Sequence, residues 1–135
     1  MFALKCNVLD EIITHARGGA PEEVCGLVGG RKNTAHRSYV VENQLHSPIE
    51  YIMNPKDQMK SFKNIIRDGF ELVALYHSHP ESPPEPSSID LARAYQTDIR
   101  YMILSLVTPI KPSLRCYTYQ NGNLVEEAWS LVTER

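Results

Sequence analysis

The chain contains few cysteines, and their positions exclude two kinds of structure. There are three among 135 residues, at positions 6, 25 and 116, and no C-x-x-C pair occurs. An odd number without that spacing supports neither a disulfide framework nor a four-cysteine zinc site. We therefore expect reduced thiols, as in a cytoplasmic protein.

Long hydrophobic runs and an excess of one charge are also absent. No apolar stretch approaches the ~18 residues of a membrane span, and Met1 to Lys5 lacks the apolar centre and cleavage site of a secretory signal. The net charge of −2 argues against a broad basic surface for nucleic acid. We expect a cytoplasmic protein that binds neither membrane nor nucleic acid.

The apolar content is sufficient for one core. Hydrophobic residues make up 42% of the sequence, and 135 residues suit a single domain over the whole chain. The predicted order is helix, strand hairpin, helix, strand, helix, strand and hairpin. This order predicts an α/β fold, a mixed sheet flanked by helices.

Periodicity, capping residues and turn residues give the predicted elements. Helices are expected from Asn7 or Asp10 to Gly19, from Asn54-Pro55 to Gly69, and from Ser87 or Ser88 to about Thr97; strands over 24–28, 35–42, 71–79, 101–107, 114–119 and 124–128; an Asn121-Gly122 turn; and C-terminal packing over 129–132. The apolar stripe of the second helix should face the core (Met59, Phe62, Ile65, Ile66, Phe70). The strand over 71–79 is apolar enough to be central, whereas that over 114–119 should be more exposed.

Two histidines at the end of the predicted 71–79 strand carry the strongest chemical signal. His77 and His79 share a face because strand residues two apart point the same way. Asp90 follows in the first turn of the next helix. Two imidazoles, one carboxylate and an open position are the ligand set of a catalytic zinc. Without a metal, Ser87 and Asp90 would still stabilise that helix start as N-cap and first-turn acid.

The complete pattern, H-x-H-P-x6-S-x2-D, resembles the signature of the JAMM metalloprotease family, whose domains are of the MPN type. That family also has a glutamate upstream of a Cys-Gly pair, and Glu23 precedes Cys25-Gly26 here. Without the resemblance, Glu23 would be interpreted as a surface charge. Cys25 would be interpreted as a small buried hydrophobic residue or, alternatively, as a nucleophile.

The resemblance implies a role for each residue of the pattern. His77, His79 and Asp90 are similar to the zinc ligands, with one Zn²⁺ per chain. Glu23 is similar to the general acid/base, and Ser87 to the hydroxyl that stabilises the oxyanion. The implied fold is a curved mixed sheet with flanking helices, similar to that of cytidine deaminases.

The resemblance also implies a substrate class. The segment from Ser47 to Gln58 is similar to small stand-alone bacterial members, which act on a ubiquitin-like sulfur-carrier protein after its C-terminal Gly-Gly and release cysteine or a short tail. The expected protein is a monomer or homodimer. Alternatives are a non-catalytic MPN-type scaffold, a deubiquitinase-like isopeptidase, and a thiol hydrolase using Cys25. A zinc deaminase would need H-x-E with P-C-x-x-C, which the sequence lacks.

Overall fold

One mixed sheet contains every strand that the computed structural model shows within residues 1–133, the part of the chain it describes. The elements are, in chain order, β1 (Phe2–Lys5), α1 (Cys6–Gly19), β2 (Cys25–Arg31), β3 (Thr34–Val41), α2 (Pro55–Arg67), β4 (Glu71–His79), α3 (Ser88–Arg93), β5 (Arg100–Ser105), β6 (Ser113–Gln120), β7 (Asn123–Glu127) and β8 (Trp129–Val132). The predicted α/β class is confirmed. None of the described helices has the length and apolar character needed to cross a membrane.

The strand order places β4 in the middle of the sheet, as predicted. The order is β7-β6-β5-β4-β2-β3-β1-β8. β4 pairs antiparallel with β2 and parallel with β5, and β2 pairs with β3 as the predicted antiparallel hairpin. The β6–β7 hairpin turns at Asn121-Gly122, where both residues have positive φ (50° and 81°). Asparagine and glycine tolerate that conformation best, which is why the turn could be read from sequence.

Alternation along the central strands divides the core between the two faces of the sheet. One cluster joins α1 to the face that carries Ala74 and Tyr76. The other contains Leu75 from β4 and Ile65 from α2. His77 and His79 continue the alternation from Leu75, so their side chains lie on the α2 face.

Two strands differ from the prediction. β1 was not predicted, and residues 129–132 form the strand β8 rather than loose C-terminal packing. The two pair in parallel with each other, and β1 also pairs with β3. Each has only four residues, and their partners are distant in sequence. Local periodicity therefore had too short a window to detect them.

The predicted bounds and caps of the helices also need correction. α1 begins at Cys6 without a side-chain cap, so neither Asn7 nor Asp10 caps it. α3 ends at Arg93 instead of near Thr97. In α2 the Asn54 cap is confirmed by its hydrogen bond from the Asp57 amide (3.0 Å).

The predicted burial was wrong for α2 and was confirmed for β6. In the stripe of α2 only Ile65 is buried, while Met59 (54% exposed), Phe62 and Ile66 (58%) face outward. Among the described elements, α2 packs mainly on β2, β3 and β4, so its opposite side stays exposed. β6 alternates and is more exposed than β4, as predicted: Leu114 and Cys116 are buried, whereas Ser113 and Arg115 are exposed.

Candidate metal centre

The end of β4 positions the two histidines beside the start of β2. His77 and His79 are each 3% exposed. Because β2 and β4 are antiparallel, the residue before β2 lies next to the end of β4. Bonds between Ser78 and Val24 extend this pairing: the Val24 amide donates to Ser78 Oγ (2.9 Å) and the Ser78 amide to the Val24 carbonyl (3.0 Å). Glu23 is thereby brought to the histidines from 54 residues away.

Three donor atoms form a triangle with equal sides. His77 Nε2 and His79 Nε2 are 3.1 Å apart, and each is 3.1 Å from Asp90 Oδ2. Tetrahedral ligands at zinc–nitrogen distances lie about 3.4 Å from one another. The triangle is therefore close to the size that a zinc ion requires.

Asp90 is held in this triangle by the start of α3. Its amide donates to Ser87 Oγ (3.0 Å), and the Ser87 amide donates to Asp90 Oδ2 (2.9 Å). This reciprocal pair is a capping box. The predicted helix-capping role of Ser87 and Asp90 is thus compatible with a ligand role for Asp90.

The protonation of His79 shows that the triangle fits a cation. Its Nδ1 is 2.8 Å from the Pro83 carbonyl, which can only accept a hydrogen bond. A neutral His79 therefore has its proton on Nδ1 and a lone pair on Nε2. That lone pair faces an Asp90 oxygen, which is also an acceptor, so a proton or a metal ion must lie between them. Histidine and carboxylate donors suit zinc, and these three residues are the ones that would hold it.

Without a metal, the electrostatics favour a proton in this position between His79 and Asp90. Burial raises the pKa of Asp90, but hydrogen bonds from His77 and His79 outweigh it and hold the pKa well below its usual range. Burial lowers the pKa of His77, which favours the neutral ligand form. For His79 burial acts the same way, but the hydrogen bond to Asp90 raises the pKa overall.

Glu23 lies at the side of the triangle with a free oxygen. Its carboxylate and the two histidines offer atoms that all lie within 4.8 Å of one another. The residue is 4% exposed, and its Oε1 has no hydrogen-bond partner. Burial raises the pKa of Glu23 to about 7. A buried carboxyl that titrates near neutrality and lacks a partner is suited to exchange protons with a water molecule.

Two further contacts fix the histidine rings. The Tyr51 ring stacks on His77, with centroids 4.6 Å apart and 28° between the planes. The Pro83 carbonyl orients His79 by accepting a hydrogen bond from Nδ1, as carbonyls behind metal-binding histidines commonly do. Sequence patterns gave no sign of either contact, because both come from loops whose path depends on the whole fold.

The structure thus brings together Glu23, His77, His79, Ser87 and Asp90, although their roles remain predictions. It also bears on Cys25, which is fully buried, donates to the Val41 carbonyl, and has a pKa raised by burial to about 12. These properties are those of a packed thiol, and they argue against the hypothesis that Cys25 is a catalytic nucleophile. All three cysteines are free.

Fold and donor set together define a class: an α/β domain with a candidate metal centre at the end of a central strand. Residues 6–118 match the family described as prokaryotic homologs of the JAB domain. The chain belongs to this family. The resemblance to JAMM and MPN-type proteins inferred from sequence is therefore confirmed.

Relatives with named activities are similar over most of the chain. The CysO-cysteine peptidase of Mycobacterium tuberculosis is 27% identical, and the match covers 99% of this chain and 93% of that protein. The desampylase of Haloferax volcanii is 36% identical, with 77% and 80% covered.

Solved structures agree on the fold. The solution structure of protein DSY2949 from Desulfitobacterium hafniense has a TM-score of 0.91 at 32% identity, covering 99% of this chain and 94% of that one. A structure described as "JAMM: A Metalloprotease-like Zinc Site in the Proteasome and Signalosome" has a TM-score of 0.61 at 20% identity, with 98% of both chains covered. At that lower identity the likeness concerns the fold alone, and it confirms the predicted curved mixed sheet with flanking helices.

Proposed function

We propose that the protein is a zinc-dependent peptidase that hydrolyses the amide bond after the C-terminal Gly-Gly of a ubiquitin-like sulfur-carrier protein. The reaction would release cysteine or a short tail. One observation carries the chemical part of the proposal: three lone-pair donors converge beside a buried glutamate that has a free oxygen. The similarity to a CysO-cysteine peptidase over almost the whole chain supports the substrate class.

His77, His79 and Asp90 would hold the ion. Bound zinc would supply an electrophile for the substrate carbonyl and lower the pKa of water toward about 7. Glu23 would accept a proton from the attacking water while the water oxygen bonds to the carbonyl carbon. When the carbon–nitrogen bond breaks, Glu23 would return that proton to the leaving amine.

Ser87 can serve the carbonyl oxygen without losing its structural role. Its Oγ accepts the Asp90 amide, so the hydroxyl proton is left to donate. A donor aimed at a developing oxyanion typically contributes about 3 kcal/mol to transition-state stabilisation. The chain therefore has a separate residue for each of the three tasks: metal binding, proton transfer and oxyanion stabilisation.

The exposed apolar face of α2 supports a protein substrate. Met59, Phe62 and Tyr95 line a groove of about 380 Å³, and the same groove includes Leu75, which also borders the small cavity beside His77. Exposed apolar surface of this kind is more often a contact site than a neutral feature. A folded carrier could rest there while its tail reaches the metal centre.

The first experiment compares wild type with Glu23→Gln and the neighbouring Glu22→Gln as a matched control. Bound zinc is quantified, and a sulfur-carrier protein extended past Gly-Gly by one cysteine is assayed by mass spectrometry. We expect one zinc per chain in all three proteins and cleavage by wild type and Glu22→Gln only. Zinc without cleavage by wild type would reject the substrate class. A folded protein that binds no zinc would favour the non-catalytic scaffold.

A second experiment tests the carrier contact. Phe62→Ser should raise KM for the intact carrier several-fold and leave cleavage of a short peptide ending in Gly-Gly-Cys unchanged. Ile110→Ser is the control, since Ile110 is an exposed apolar residue (93%) on a different turn. An equal effect of both variants on both substrates would reject α2 as the contact surface.

Isopeptide hydrolysis is the second candidate, because the relative named a desampylase has the higher identity. The site chemistry would be the same, with a lysine side-chain amine as the leaving group. Assaying the same carrier joined to a lysine ε-amine, in parallel with the cysteine-extended form, distinguishes the two by their relative kcat/KM.

A further inference from the structure

The loop that joins β3 to α2, residues 42–54, begins with a buried asparagine whose hydrogen-bonding capacity is fully used. Asn43 is 6% exposed. Its Nδ2 donates to the carbonyls of Glu23 (3.0 Å) and Glu50 (3.1 Å). Its Oδ1 accepts the amides of Leu45 (3.1 Å) and Ile52 (3.2 Å). One side chain therefore organises four backbone positions.

The first of these positions belongs to the proposed acid/base. Glu23 precedes β2, and neither its amide nor its carbonyl bonds to a strand of the sheet. Its two backbone groups bond to the 42–54 loop instead: the amide donates to the Ser47 carbonyl (2.9 Å), and the carbonyl accepts from Asn43. The direction in which the Glu23 side chain leaves the backbone consequently depends on this loop.

The second position lies beside a residue that contacts a proposed metal ligand. Glu50 directly precedes Tyr51, whose ring stacks on His77. The Ile52 amide, which Asn43 also binds, directly follows Tyr51. Asn43 thus holds the backbone on both sides of the stacking tyrosine, in addition to the backbone of Glu23.

We propose that Asn43 is a positioning residue that couples the Glu23 carboxylate to the Tyr51 segment of the loop. This inference rests on the proposed function for its catalytic consequence. No hydrogen bond joins Asn43 to His77, His79 or Asp90, and these three residues are held by β4 and by the capping box of α3. Loss of Asn43 should therefore misplace the proton carrier far more than the metal ligands.

The chemistry of the side chain supplies a sharp test. Asparagine has two donors and an accepting oxygen, whereas the isosteric aspartate has only acceptors. Asn43→Asp therefore keeps the volume and removes the bonds to the Glu23 and Glu50 carbonyls. Asn7→Asp is the matched control: Asn7 also donates from Nδ2 twice, to Glu11 Oε2 and the His36 carbonyl, but on the α1 side of the sheet.

We expect Asn43→Asp to bind zinc with an affinity within threefold of wild type. The kcat for the extended carrier should fall by about 100-fold, the usual consequence of a misplaced catalytic group, with a much smaller change in KM. Amide hydrogen exchange at Glu23 should become about tenfold faster, although that amide bonds to Ser47 and not to Asn43. Asn7→Asp should show none of these changes.

Retention of wild-type kcat and of slow exchange at Glu23 would overturn the proposal, as would equal losses in Asn7→Asp. If Asn43→Asp does not fold, Asn43→Ser, which keeps one donor, takes its place in the same measurements. If wild type cleaves no carrier, the proposed function fails separately. Exchange at Glu23 and Ile52 in the zinc-loaded protein then decides whether Asn43 couples the two segments.

Discussion

Two loops border the candidate metal centre, and different parts of the molecule hold them. In the proline-rich loop over 81–87, three consecutive carbonyls each accept a side-chain donor from a different strand. Ser105 Oγ binds the Ser82 carbonyl (2.6 Å), His79 Nδ1 binds that of Pro83 (2.8 Å), and Tyr117 OH binds that of Pro84 (2.6 Å). The 42–54 loop is held from within, by Asn43, and at its rim by Arg93.

This difference separates the two halves of the site. The donors to the proline-rich loop are in β4, β5 and β6, so the rigid sheet determines where Asp90 lies. On the Glu23 side, the 42–54 loop contacts Glu23 through Asn43 and the Ser47 carbonyl, and one partly exposed arginine binds its Tyr51 segment. The position of the metal ligands should therefore tolerate the loss of a single loop contact. The position of Glu23 should be sensitive to the loss of a single contact in the 42–54 loop.

The largest expected effect comes from removing one of the three proposed metal ligands. Asp90→Ala should lower zinc affinity by at least about a thousandfold, since it removes a ligand and not only an outer contact. Competition with a chromogenic chelator measures this. Asp57→Ala is the control, because Asp57 occupies the same first-turn position in α2. Unchanged zinc affinity in Asp90→Ala would refute the proposed ligand set.

Ser87→Gly tests the hydroxyl apart from the helix cap. Glycine is tolerated at the N-cap with a loss of only a few tenths of a kcal/mol, so stability should change little. The kcat should fall by about 100-fold or more if the hydroxyl donates to the oxyanion. Ser88→Gly, one residue further on, should retain activity. A kcat loss that merely follows the loss of stability would contradict the oxyanion role.

The pKa of Glu23 predicts a pH-dependent stability in the metal-free protein. Burial raises the pKa from 4.5 to about 7 in the folded state, so the folded protein binds the proton more tightly than the unfolded chain. The contribution of Glu23 to wild-type stability should therefore be lost as the pH rises from about 4.5 to 7. Glu23→Gln lacks this loss and should be more stable by about 1–3 kcal/mol at pH 8, but not at pH 4.

Urea unfolding of both chelator-treated proteins across that pH range measures the difference. Glu22→Gln should follow wild type, because its carboxylate is exposed (44%). Curves for wild type and Glu23→Gln that stay parallel from pH 4 to 8 would show that Glu23 is not desolvated in solution.

Tyr117→Phe removes one of the three anchors of the proline-rich loop. Leaving the buried Pro84 carbonyl without its donor should cost about 1–2 kcal/mol of unfolding free energy. Zinc affinity should fall by about tenfold at most, because the Ser105 and His79 anchors remain. Tyr119→Phe, on the same strand, is the control. A loss as large as that of Asp90→Ala would mean that the anchors act as one unit.

Arg93→Ala should have the smallest effect. The guanidinium donates to the Tyr51 carbonyl (2.8 Å) and pairs with Glu50 (3.0 Å), but its side chain is 43% exposed. Such contacts usually contribute less than about 1 kcal/mol. We expect unchanged zinc binding and slightly faster amide exchange over 49–52, with Arg67→Ala as the control. A large effect would show that the rim, and not Asn43, holds the loop.

Features that depend on residues close together in the sequence were predicted well, and features that depend on distant residues were not. The bounds of β4, the Asn54 cap and the Asn121-Gly122 turn depend on neighbouring residues, and these predictions were confirmed. β1 and β8 depend on partners far along the chain and were missed. The apolar stripe of α2 was read correctly as a helix face, but periodicity does not say whether another layer covers it.

Local sequence patterns were enough to specify the donor set: two histidines on one strand face and an acid in the first turn of the next helix. These relations are local, because strand alternation and helix capping act over a few residues. The complete fold was needed to place Glu23 beside that set, Tyr51 against His77, and Asn43 between the two. Those contacts arise from the antiparallel pairing of β2 with β4 and from loop backbone bonds, which no spacing in the sequence encodes.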